Sequence, residues 1–125
     1  MADSVRQGEI YWIEPEHLRP SVDGVAHPHV VVQDDVLNLS RIPTTVVCGI
    51  SSQKKKAEEP GNISLDAGEG GLVKASVVVV SQVSTVDKAQ LGERVGTLSP
   101  GRVDQILAGL ESLARRMRAG VKSSG

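Results

Sequence analysis

Short runs of alternating and β-branched residues occupy most of the chain, and one helical stripe follows them near the end. Residues 8–14 predict a first strand around Ile10-Tyr11-Trp12-Ile13, closed by Pro15. A loop with Pro20, Asp23 and Gly24 follows, rich in turn-forming residues. Val30-Val31-Val32 predicts a second strand, and 36–40 a short turn with Asn38 as its terminator. Residues 44–50 predict a third strand running into Ser51-Ser52-Gln53. Lys54 to Glu59 reads as a charged, solvated segment, and Pro60-Gly61-Asn62 as a turn. Ile63 and Leu65 alternate with polar neighbours, as a half-buried strand requires. Residues 76–82 form the most apolar run and predict the central strand. Residues 86–91 read as one helical turn, and 94–98 as a last short strand.

The helix is signalled by Ser99 at the N-cap and Pro100 at the first helical position. Val103, Ile106, Leu107, Leu110, Leu113, Ala114 and Met117 recur at three and four and form one apolar stripe. Arg115, Arg116 and Arg118 suit its C-terminal end, and Gly120 is expected to stop it. The pattern predicts a mainly β domain, a mostly antiparallel sheet or small barrel with a C-terminal helix packed on it. With 125 residues, one domain over 1–125 is expected, its core about 6–119 and its ends 1–5 and 120–125 flexible.

Composition narrows the picture. There is no Phe, and Tyr11 and Trp12 are the only aromatics, so the core is aliphatic. One of these two neighbours must point inward, and Trp12 is expected in the core. A net charge of −1 announces no global field for nucleic acid, so any RNA contact needs a local patch. The single Cys48 excludes an internal disulfide, fits a reducing compartment and reads as an inert packed thiol. Met1 to Gln7 does not read as a signal peptide, and no apolar run is long enough for a membrane span. The three histidines and scattered acids show no metal-ligand spacing.

Several stretches, in order and nearly without gaps over about 6–115, resemble the MazF/PemK family. Arg6-Gln7-Gly8-Glu9-Ile10-Tyr11-Trp12 is similar to its opening R-x-G-[DE]-[IV]-[YW]. Pro28, Val30 to Val32, Gln33-Asp34-Asp35 and Asn38 resemble its R-P-V-V-V-x-[SQ]-x-D-x-x-N segment. Pro60-Gly61-Asn62 and Ala67 to Leu72 resemble the loop before its central strand. Ser76 to Val83 with Thr85-Val86-Asp87-Lys88 resembles S-V-x-x-x-[SE]-Q-[IV]-R-T-[IV]-D-K. The resemblance implies an SH3-like barrel, a homodimer in the cytoplasm, and a toxin of a type II toxin–antitoxin pair. Its activity would be sequence-selective, metal-independent cleavage of single-stranded mRNA without a cofactor, restrained by a MazE-like antitoxin.

The chain departs from the family where the chemistry lies. The resemblance puts His27 in the place of an Arg, Ser51 in the place of a Thr, Val22 in the place of a loop Glu, and Ser84 in the place of a second Arg. Metal-free RNA cleavage needs a base for the ribose 2′-OH, an acid for the leaving 5′-oxygen, and donors for the phosphate. Ser51 keeps a hydroxyl. His27 loses the permanent forked cation of Arg but gains a proton exchangeable near neutral pH. In an extended segment His27 and His29 share a face, and two imidazoles of opposite protonation would supply acid and base. Arg19 and Asp23 are candidate replacements for the missing charges, against ordinary surface and turn roles. Ser52, Gln53, Lys54, Lys55 and Lys56 are candidate RNA contacts, against a solvated loop tip. Gln82 is a candidate reader of a base edge, against a plain strand end. The losses at 22, 27 and 84 raise a second reading, a catalytically weakened module that binds antitoxin or RNA. A third, a CcdB-like gyrase poison, is disfavoured because no aromatic C-terminal segment is present.

Overall fold

The architecture is that of a curled antiparallel sheet with a C-terminal helix, seen in a computed structural model that describes residues 4–18 and 25–124, with side chains to 119. Six strands are β1 (Glu9–Ile13), β2 (His27–Val31), β3 (Thr44–Ser51), β4 (Ile63–Leu65), β5 (Ser76–Asp87) and β6 (Arg94–Thr97). The helices are α1 (Asp35–Asn38) and α2 (Pro100–Ser124). The sheet order is β4-β5-β3-β2-β1-β6, with every neighbouring pair antiparallel. The edges approach each other because Gly70 and Gly71, both at positive φ, lie against Val95 and Gly96. A Cβ on Gly96 would collide with the carbonyl oxygen of Gly70, so the half-barrel closes only with glycine there.

The sheet is buried on both faces. On one, Ile10, Val30, Cys48, Ile50, Val78 and Val80 pack with Ile106 of α2. On the other, Val5, Ile13, Val31, Val47 and Val86 pack with Tyr11, Leu18 and Leu91. Cys48 is buried, and burial pushes its thiol up to about 12, so the thiol is unreactive as expected.

β5 is longer than expected. It runs to Asp87, and only 88–90 form a 3-10 turn. It also bends. Cys48 pairs with Val83 and Gly49 with Val79, leaving Val80, Ser81 and Gln82 without partners on β3, Val80 turned into the core and Ser81 and Gln82 exposed. The Val80 amide donates instead to Asn62 Oδ1 at 3.1 Å.

Two family-like motifs prove to be structural. Asn38, the last residue of α1, is also a buried hub. Its amide donates to Gln33 O and Asp35 Oδ1, and its Oδ1 accepts from Gln33 Nε2 and Thr45 Oγ1. Glu9 is likewise buried, accepting from Arg6 N, Tyr11 Oη and Arg94 Nη1.

Two expectations are corrected. Trp12 is not a core residue: it is 42% exposed, and Tyr11 is the half-buried member of the pair. Gly120 does not stop the helix, which runs through it to Ser124. The expected stripe is buried at Ile106 and packed at Val103 and Leu110, but Leu107 is 37% and Met117 64% exposed. Among the described residues no helix is long and apolar enough to cross a membrane.

Candidate functional site

β2 brings the two candidate histidines to one place. Pleating sends His27 and His29 to the same face, with Pro28 on the other. The pairing of His29 with Gly49 sets them beside the end of β3, where Ser51 stands on the same face as Gly49. The bulge of β5 carries Gln82 across, and its side chain lies directly over Gly49. A Cβ at 49 would meet the Gln82 amide oxygen. The result is a narrow cleft of about 150 Å³ lined by His27, His29, Ser51, Gln53, Lys56 and Gln82, with Pro15, Leu18, Val25, Gly49 and Ile50.

His29 is 6% exposed, and burial lowers its pKa below the ordinary imidazole value, against a backbone hydrogen bond that raises it. That bond fixes the tautomer. His29 Nδ1 lies 3.0 Å from the carbonyl oxygen of His27, which can only accept, so Nδ1 carries the proton and donates. In the neutral ring Nε2 is then the lone-pair nitrogen. His27 is half-buried at the start of β2. Ser51 Oγ accepts from the Gln53 amide at 3.1 Å, which pins the turn leaving β3. Lys56 Nζ lies 3.4 Å from Glu59, so its charge is shared rather than open.

Not every expected residue joins this cleft. Ser52 lines a second, wider groove of about 430 Å³ with Trp12, Ala26, His27, Pro28, Ile50, Leu72, Val73, Lys74 and Ser76. Lys54 and Lys55 are exposed and line neither. Arg19, Asp23 and Val22 lie outside the described residues. Lys74 and Ser76 were not singled out from sequence. The available signal was a lysine and a serine flanking the entry to the most apolar strand.

The chain matches, over residues 6–114, the family described as PemK-like, MazF-like toxin of type II toxin-antitoxin system. It is 32% identical over 106 residues to endoribonuclease MazF2 of Mycobacterium bovis, covering 85% of this chain and 93% of that one. It is 29% identical over 102 residues to endoribonuclease EndoA of Bacillus subtilis, covering 82% and 87%. Among solved structures, MazF of Deinococcus radiodurans superposes with a TM-score of 0.71 at 18% identity, covering 90% of this chain and 98% of that one. A mycobacterial endoribonuclease in complex with its cognate antitoxin gives 0.70 at 16% identity, covering 86% and 92%. The likeness to these structures is one of fold, the curled sheet with its C-terminal helix. With a match across nearly its whole length, this chain belongs to the PemK-like and MazF-like toxins of type II toxin–antitoxin systems.

Proposed function

We propose that the protein is a metal-independent endoribonuclease that cuts single-stranded mRNA in the narrow cleft. The observation carrying this is the convergence of His27, His29, Ser51 and Gln82 in one cleft of a chain of this family. His29, neutral with Nε2 as its lone pair, takes the proton from a ribose 2′-OH. The 2′-oxygen attacks phosphorus, the bond to the 5′-oxygen breaks, and His27 protonates that oxygen. The products are a 2′,3′-cyclic phosphate and a 5′-hydroxyl. The Ser51 hydroxyl donates to the phosphate as charge builds on it, and Lys56, on leaving Glu59, adds a cation there.

The same reading makes the protein a cytoplasmic homodimer held in check by a MazE-like antitoxin. Complexes with an antitoxin are described for the mycobacterial and Deinococcus radiodurans neighbours. The unburied Leu107 and Met117 on α2, and Val36, Leu37 and Leu39 around α1, are apolar surface available for such assembly. A mass that stays monomeric across concentrations in sedimentation would remove the dimer.

The nuclease is tested by incubating the protein with a long single-stranded RNA in EDTA and mapping the new ends, beside His27→Ala and Ser51→Ala. Discrete cuts that survive EDTA and vanish in His27→Ala are expected. Full-rate cutting by His27→Ala would remove His27 as the acid. No cleavage by the wild-type protein, with RNA or antitoxin binding intact, would make it the weakened binding module.

A further inference from the structure

Apart from His27, the wide groove has no part in the chemistry just described, yet it is built around an unusual residue. Trp12 is the only tryptophan of the chain and stands 42% exposed at the groove wall. Its backbone is fixed on both sides. It pairs with Pro28 of β2, its amide donates to Glu93 O at 3.0 Å, and its carbonyl accepts from Gly92 N at 2.7 Å. A Cβ on Gly92 would meet that carbonyl at 2.6 Å, so the segment leading into β6 lies close against it. The indole is therefore mounted on a rigid support. The groove is also lined by apolar Pro28, Ile50 and Leu72, with Lys74 and Ser52. The volume of about 430 Å³ falls within the roughly 300–1,000 Å³ of small-ligand pockets.

His27 lines this groove as well as the narrow cleft. A strand with its scissile phosphate at His27 therefore has a neighbouring nucleotide at the mouth of the groove. We infer that the Trp12 groove takes one unstacked nucleobase of single-stranded RNA, flanking the cut. The base stacks on the indole, and Lys74 meets the adjoining phosphate. A rigid aromatic face beside an apolar floor and a single cation is the combination that single-stranded nucleic acid uses. This inference rests on the ribonuclease reading.

The lone tryptophan reports on its own site. The full chain is titrated with short 2′-O-methyl RNA strands of U, A or C, and with an abasic strand of equal phosphate number, following tryptophan emission. Quenching by at least one base-bearing strand and none by the abasic strand is expected. Trp12→Ala should weaken binding of that strand roughly ten- to hundred-fold and leave abasic binding unchanged. Trp12→Phe should recover most of the loss, which guards against a variant that merely misfolds. Equal quenching by the abasic strand, or full affinity in Trp12→Ala, would overturn the inference. So would an emission shift that follows protein concentration alone, since the groove would then be a contact between copies. Wild-type cleavage with unmoved emission would sink the groove and spare the nuclease. A wild-type protein that neither cuts nor binds RNA would sink both.

Discussion

The two clefts that meet at His27 differ in size, chemistry and origin. The narrow one, about 150 Å³, gathers two imidazoles, a hydroxyl, two amides and a lysine. The wide one, about 430 Å³, is walled by an indole and aliphatic side chains. Both come from the first residues of β2. Alternation sends His27 and His29 to one face and Pro28 to the other, so one strand end borders both the proposed reacting surface and the proposed holding surface. The difference teaches that rate and affinity should respond to separate residues, an idea with measurable consequences.

The largest expected effect is on rate. His29→Gln removes the proposed base while keeping a donor near the His27 carbonyl. Single-turnover cleavage should fall by about a hundred- to ten-thousand-fold, with the affinity for a 2′-O-methyl strand unchanged. Trp12→Ala should do the reverse, weakening affinity and sparing the rate at saturating RNA. If both variants lose rate and affinity together, the division between the clefts is gone.

Next in size is pH. Burial holds the His29 pKa below its unfolded value of about 6.5, because the charged ring would be desolvated and would stand beside His27. The unfolded chain therefore binds a proton first as pH falls. The stability due to neutral His29 is complete above about 6.5 and is lost as pH drops through the folded pKa. The same titration removes the base, so the acidic limb of the cleavage profile should have its midpoint below about 6.5. Rate and thermal midpoint measured across this range should fall together in the wild type. In His29→Gln the acid-dependent loss of stability should be absent. A rate limb at or above the ordinary imidazole value would exclude His29 as the base.

Much of this was legible in the sequence. The alternation at Ile63 and Leu65, the Val run of β5 and the Ser99-Pro100 start each correspond to an observed element. The shared face of His27 and His29 followed from strand geometry alone. What stayed hidden has physical reasons. Ile10 and Ile13 are both fully buried but on opposite faces, because the sheet has a core on each side, and a register shift falls between Ile10 and Tyr11. Parity therefore could not say which aromatic lay inside, and Trp12 was expected there wrongly. Gly120 ends a helix only when it takes a left-handed conformation, and within a helix it costs only about 1 kcal/mol. The bulge of β5, which moves Gln82 over Gly49, depends on long-range pairing with β3 that no local pattern reveals.

The smallest expected effect lies at that contact. Gly49→Ala should gain about 0.5–1 kcal/mol from the stiffer unfolded chain. Against this, the new methyl displaces the Gln82 amide, the far end of a flexible side chain, and presses on its Cβ at 3.3 Å. The two terms nearly cancel, so the thermal midpoint should move by a few degrees at most. The cleavage rate should hardly change, because neither imidazole is touched. If Gln82 reads a base edge, what should change is the set of cut sites, since its amide would be re-aimed. Gln82→Ala should alter the same set. If only Gln82→Ala does so, Gln82 reads sequence from a position that Gly49 does not control. If neither does, the narrow cleft holds only the reacting atoms, and discrimination between bases falls to the groove beside Trp12.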